Sequence, residues 1–293
     1  MLWLPEVSME AGIREEVFTT EEGLVGLVTY PASGELTSRP AVLILNSGNI
    51  HRVGTGRMSV ILARRLAALG SPVFRFDHSG VGDSPPRRDG LDLEEGRIRE
   101  IIQVMDALEE RYGMEQFVVQ GLCTGARDAF HAALQDERIV GLVQIDGFAY
   151  RNFRFYLRKV GRRLGDLPSV VRGVGRRIGI VPRPERSTPA DDMWVEEWSG
   201  YPPRAEVEKG FGTLVRRGVA LYVAFTGSWE EEYNYESQFL DMYPGVDFRK
   251  LLTLRYLPDA AHTLLDPVSR ESVVEGICSW VDEAVTTDRR LAS

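Results

Sequence analysis

Gln116-Phe117-Val118-Val119-Gln120-Gly121-Leu122-Cys123-Thr124-Gly125-Ala126 is the stretch whose reading decides the fold. It begins as a short apolar strand, passes through a tight turn spaced Gly121-x-Cys123-x-Gly125, and opens a helix. A side chain at the apex of such a turn takes a strained backbone conformation and projects from the end of a sheet. Small residues two before and two after let strand and helix approach closely. That is the geometry of a nucleophile elbow, here with Cys where Ser is usual. A helix starting at this point favours an anion at its N-terminus, hence a thiolate. The competing reading is a Gly-rich turn around a buried free cysteine, a residue type that is often buried.

Outward from the elbow, strands and helices alternate. Residues 12–30 alternate in type and break at Glu21-Glu22-Gly23, which predicts an antiparallel hairpin. Ala41–Leu45 is an unbroken apolar run, as expected of a parallel strand buried on both faces. Further strands are predicted at 72–77, 139–146, 219–225 and 251–257. Helices are predicted near 57–69, 92–112, 125–134 and 203–217, with a closing amphipathic helix from Pro267 to about Val285. The repeated βα pattern predicts an α/β class with a mostly parallel, doubly wound sheet behind the N-terminal hairpin.

One segment breaks the pattern. From Arg151 to Arg186 there are eleven Arg or Lys against Asp166 and Glu185, a charge of +9, so the remainder of the chain carries about −17. Helical spacing around Phe153, Tyr156, Leu157, Val160 and Leu164, with the Trp-containing piece 193–198, predicts an inserted helical cap. The expected layout is core over 1–147, basic cap over 148–202, and core again over 203–293.

Composition bounds the rest. The 293 residues are 43% hydrophobic with a net charge of −8, which argues against nucleic-acid binding. Two distant cysteines, Cys123 and Cys278, make neither a disulfide framework nor a metal-ligand spacing. There is no basic, then apolar leader and no long apolar run, so a cytoplasmic protein without a transmembrane segment is expected. No cofactor or metal motif is visible.

The Asn46-Ser47-Gly48 loop, Asp77-x-x-Gly80-x-Gly82-x-Ser84, the Cys123 elbow and Ala261-His262-Thr263 together resemble an α/β-hydrolase of the serine-aminopeptidase and lysophospholipase-like group. The resemblance runs over essentially the whole chain. His51-Arg52-Val53-Gly54 and the Arg-rich segment after Asp146 are similar to hydrolases associated with the exosortase A system. The resemblance implies an α/β-hydrolase fold and the chain order nucleophile, acid, base. His262 is the expected base, because it follows the final strand. The acid is expected at Glu230, with Glu231 and Glu232 beside it and Asp146 as the alternative. The oxyanion hole is expected from the backbone N–H groups of Thr124 and Asn49. His51, Arg52 and His78, on loops at the same end of the sheet, are candidates for substrate contact, as are Arg158 and Arg162 in the cap. His131 is expected to be structural.

A thiol nucleophile would form a thioester acyl-enzyme, which resists water better than it resists amines and thiols. The expectation is a cysteine-dependent enzyme acting on an ester or thioester, leaning to acyl transfer. The basic cap suggests an acyl carrier protein, CoA or another anionic group as partner, since Arg binds phosphate bidentately. The alternatives are a thioesterase or esterase, including dienelactone-type and carbon–carbon hydrolases, and a non-catalytic scaffold of the same fold.

Overall fold

The computed structural model describes residues 12–32, 39–165, 201–248 and 250–287, with backbone alone at 162–165 and 284–287. Eight strands form one sheet: β1 (Ile13–Thr19), β2 (Val25–Pro31), β3 (Ala41–Ile44), β4 (Val73–Phe76), β5 (Phe117–Leu122), β6 (Ile139–Ile145), β7 (Ala220–Thr226) and β8 (Leu252–Leu257). Their spatial order is β1-β2-β4-β3-β5-β6-β7-β8. The β1–β2 and β2–β4 pairs are antiparallel and the others parallel, so the expected hairpin and parallel sheet are both present.

Described helices are α1 (Met58–Ala68), α2 (Leu93–Tyr112), α3 (Thr124–Gln135), α4 (Phe153–Gly165), α5 (Arg204–Arg216), α6 (Gln238–Met242) and α7 (Pro267–Thr287). The central strands are buried on both faces because helices cover both. Leu62, Leu66, Val274 and Ile277 of α1 and α7 pack with Val42, Val118 and Val143 on one face. Ile101 and Met105 of α2, Phe130 of α3 and Phe211 of α5 pack with Leu43, Val119 and Leu142 on the other. Helix α2 is started by Asp92, whose carboxylate accepts the Glu95 N–H at 2.8 Å, and ended by Gly113 at φ 69°. The sequence spacing missed α6, only five residues long.

The basic stretch opens as the expected helix, α4, seven residues beyond Asp146. Arg151 pairs with Glu232, Lys159 with Glu231, and Arg154 with Asp241 at 3.3 Å. Arg154 and Arg158 lie over the Tyr235 ring, at 4.9 and 5.4 Å. Its first two turns thus face carboxylates and an aromatic ring of the same chain. The remainder of the expected cap, including the 193–198 piece, lies outside the described residues, as does the Arg162 side chain. No described helix is long and apolar enough to cross a membrane.

Candidate active site

Parallel strands place the turns that follow them at one end of the sheet, where residues distant in sequence can meet. β5 runs straight into α3 through Cys123, at φ 58° and ψ −116°. This conformation is strained for a residue with a side chain. It is held by the elbow glycines: a Cβ on Gly121 would run into the Gly125 carbonyl, and one on Gly125 into the Asn46 carbonyl. Backbone hydrogen bonds, such as Cys123 N–H to Ile145 O at 2.9 Å, fasten the turn to β6.

β6 ends at Asp146, which also has positive φ, at 49°. Its N–H continues the ladder to Ala224 O at 2.9 Å, so its side chain is delivered to the end of β7. There the fully buried carboxylate accepts the Thr226 N–H at 2.7 Å and the Thr226 hydroxyl at 2.6 Å. Its Oδ2 also lies 2.7 Å from His262 Nδ1. His262 sits in the loop after β8, which is packed tightly on the loop after β7: a Cβ at Gly227 would collide with the Pro258 carbonyl. That close approach brings the Trp229 ring onto the imidazole, stacked at 4.7 Å and 24°.

With Nδ1 on Asp146, the other ring nitrogen is left for Cys123, which lies close enough to act on the imidazole's charge. Burial works against a charged imidazole, but the hydrogen bond it donates to Asp146, together with the nearby Cys123, outweighs that and raises the His262 pKa to about 10. The indole face favours the same cationic form.

The carboxylate on His262 is therefore Asp146, the alternative, and the expectation at Glu230 is corrected. Glu230 is exposed at the end of the 3-10 turn Gly227–Trp229. The reason is geometric: the positive φ at Asp146 swings its carboxylate across the neighbouring strand, and spacing along one strand cannot show this. Thr226 and Trp229 were also missed; both lie within four residues of the expected acid.

The residues expected at the oxyanion hole are adjacent to the elbow. Thr124 is the first residue of α3, so its N–H is among those a helix leaves without an internal partner. Its hydroxyl accepts the Gly48 N–H at 2.6 Å, tying the loop that carries Asn49 to the residue after Cys123.

Three expected substrate contacts are otherwise engaged. Arg52 binds Asp77 and bridges to Asp83 at 2.6 Å. His51 Nε2 is 3.3 Å from the same buried Asp77. His51, Asp77 and Asp83 form the one cluster of metal-ligating type among the described residues, and the positive charge within it is that of Arg52. His78 is buried, its Nδ1 2.8 Å from Glu100 Oε2, with its ring against Phe76. These are corrections for Arg52 and His78, which buttress the loops after β3 and β4. His131 is half-buried against Phe130 and Phe148.

A family model described as "alpha/beta hydrolase fold" matches residues 41–174. The strand order, the elbow and that match agree. The chain has the α/β-hydrolase fold. Solved structures sharing this α/β-hydrolase fold include an esterase from Pyrococcus furiosus, 16% identical over 94% of this chain and 95% of that one, with a TM-score of 0.59. A cold-adapted esterase from an Arctic intertidal metagenomic library is 14% identical over 95% and 99%, at 0.53. Alpha/beta hydrolase domain-containing protein 10 from mouse is 12% identical over 92% and 99%, at 0.53. No curated protein matches the sequence significantly.

Proposed function

We propose that the protein is a cysteine-dependent acyl enzyme of the α/β-hydrolase fold, with Cys123 as nucleophile, His262 as proton carrier and Asp146 as the acid. Within that fold we place it in the serine-aminopeptidase and lysophospholipase-like group, near the exosortase A system-associated hydrolases. The observation that carries the proposal is the chain of contacts from Cys123 through His262 to Asp146, assembled from three strand ends.

In this reading the Cys123 proton passes to His262 and Sγ adds to the acyl carbonyl. The Thr124 and Asn49 N–H groups receive the developing oxyanion. Collapse breaks the bond to the alcohol or thiol leaving group, which takes the proton from His262. The product is an acyl-Cys123 thioester. An acceptor then gives its proton to His262 and attacks the thioester carbonyl, restoring the thiol. Asp146 holds the ring in one tautomer and favours its cationic form, the role of the third member in such constellations.

Thioester chemistry favours an amine or thiol acceptor over water, so acyl transfer is the preferred outcome and hydrolysis the second reading. The basic segment 151–186 is assigned to the donor side, toward an acyl carrier protein or CoA. The test is intact-protein mass spectrometry after incubation with acyl thioesters, with and without an amine. An adduct on Cys123 discharged faster by amine than by water supports transfer. Rapid discharge by water alone makes it a thioesterase. A Cys123 that no acyl donor or alkylating agent modifies overturns the reading in favour of a scaffold.

A further inference from the structure

A cavity of about 640 Å³ opens beside the elbow, over the first turns of α2 and α3. Thr124, next in sequence to Cys123, is part of its wall; Arg97, Arg127, Asp128 and His131 form much of the rest. Arg97 is 7% exposed and Arg127 8% exposed. A buried guanidinium needs close, well-aligned acceptors to offset its lost hydration. Arg97 has only distant ones: its Nη2 is 3.4 Å from Gly48 O and its Nη1 is 3.8 Å from Asp128 Oδ2. Its Nε has no hydrogen-bond partner.

Asp128 does not complete the pairing. Its Oδ2 is also without a hydrogen-bond partner, and burial pushes its carboxyl pKa up, toward the neutral acid. The acidic groups at the mouth are of another kind. Asp92, Glu94, Glu95 and Glu206 are exposed, and Asp92 is used as the cap of α2. Glu94, 46% exposed, reaches in to 3.5 Å from both Arg127 Nη2 and His131 Nε2. A half-exposed carboxylate of the chain's own thus occupies the mouth at long distances.

We propose that this cavity is a substrate subsite for a carboxylate carried on the acyl group, bound between Arg97 and Arg127 in exchange for Glu94. The position decides the placement: the cavity borders Thr124, so the anion belongs a few bonds from the reacting carbonyl. The phosphate of a pantetheine arm sits much farther from its thioester. This inference rests on the acyl-Cys123 reading.

The experiment compares p-nitrophenyl hemiadipate with p-nitrophenyl hexanoate, esters of equal chain length with and without the ω-carboxylate. The expected result is a hemiadipate-to-hexanoate ratio of kcat/KM above one. It should fall at least tenfold in Arg97→Met and in Arg127→Met, and rise in Glu94→Gln. Arg127→Met keeps the test decisive if Arg97→Met does not fold. A ratio unmoved by all three variants overturns the subsite while leaving acylation of Cys123 standing. A preference for S-hexanoyl phosphopantetheine over S-hexanoyl pantetheine, without one for hemiadipate, would put the anion on the leaving group and also overturn it. If neither ester acylates Cys123, the catalytic reading fails. The subsite is then judged by titrating adipate against the His131 ring resonances: a saturable shift lost in Arg127→Met sustains it, and no shift overturns it.

Discussion

Asp146 Oδ2 and His262 Nδ1 stand 2.7 Å apart although 116 residues separate them in the chain. The carboxylate crosses from the end of β6 to the end of β7, is fixed there by two hydrogen bonds from Thr226, and meets the imidazole from beyond β8. No other part of the site shows as directly how strand order makes the chemistry.

Asp146→Asn should lower the rate of Cys123 acylation by about 10²-fold or more, the scale of a lost acid–base function. Glu230→Gln should stay within about twofold of the wild type on the same scale of effects. Single-turnover kinetics with an activated thioester measures both. A loss in Glu230→Gln with none in Asp146→Asn would return the acid to the turn after β7.

The His262 titration should move with its partners. Burial pulls the His262 pKa down most strongly, and Asp146 and then Cys123 more than offset it, to leave it near 10. Asp146→Asn should therefore bring it down further than Cys123→Ala, read from the imidazole resonances by NMR. The raised value also has a stability consequence. A base that holds its proton more tightly when folded adds stability in full below its unfolded value, near 6.5, and loses it as pH rises toward 10. The stability gap between wild type and His262→Ala, from urea denaturation, should be widest below pH 6.5 and narrow toward pH 10.

Cys123 is in a backbone conformation that costs a residue with a side chain about 1–3 kcal/mol. Cys123→Gly removes that strain but enlarges the freedom of the unfolded chain by about 0.4–1 kcal/mol. The variant should be equal to or more stable than wild type by up to about 2.6 kcal/mol, with all acylation lost. A clear destabilisation would show that the elbow is not strained.

Arg52 is a structural clamp on Asp77, which is fully buried. Arg52→Met leaves that carboxylate short of its cation and should cost about 3–5 kcal/mol, as breaking a buried pair does. At temperatures where the variant remains folded, KM for the acyl donor should be little changed. A raised KM with unaltered stability would restore Arg52 to the substrate.

Most of the frame was legible because it depends on local pattern. Continuous apolar runs such as Ala41–Leu45 mark strands covered on both faces, and Gly121-x-Cys123-x-Gly125 marks the elbow by what would collide there. Which carboxylate meets His262, and what the charged loop residues touch, were not legible. Glu230 and Asp146 both follow a strand, and sequence spacing carries no record of which carboxylate turns toward the histidine. Arg52 and His78 read equally well as substrate ligands or as buttresses, since a charged residue on a loop shows its partner only once the chain is folded. Arg97 and Arg127 read as parts of ordinary helices. Their burial, and the shortage of close acceptors around Arg97, come from how α2 packs on α3.

The sequence by itself determined the alternation of strands and helices, the hairpin ahead of the parallel sheet, the strained cysteine and the histidine behind the last strand. Backbone sterics and apolar periodicity act over a few residues, so they can be read along the chain. The tertiary structure alone decided that His262 takes Asp146, that Arg52 and His78 face inward, and that two guanidiniums line a cavity at the elbow. Those outcomes depend on strand order and on the exchange of hydration for contacts, which exist only between segments far apart in sequence.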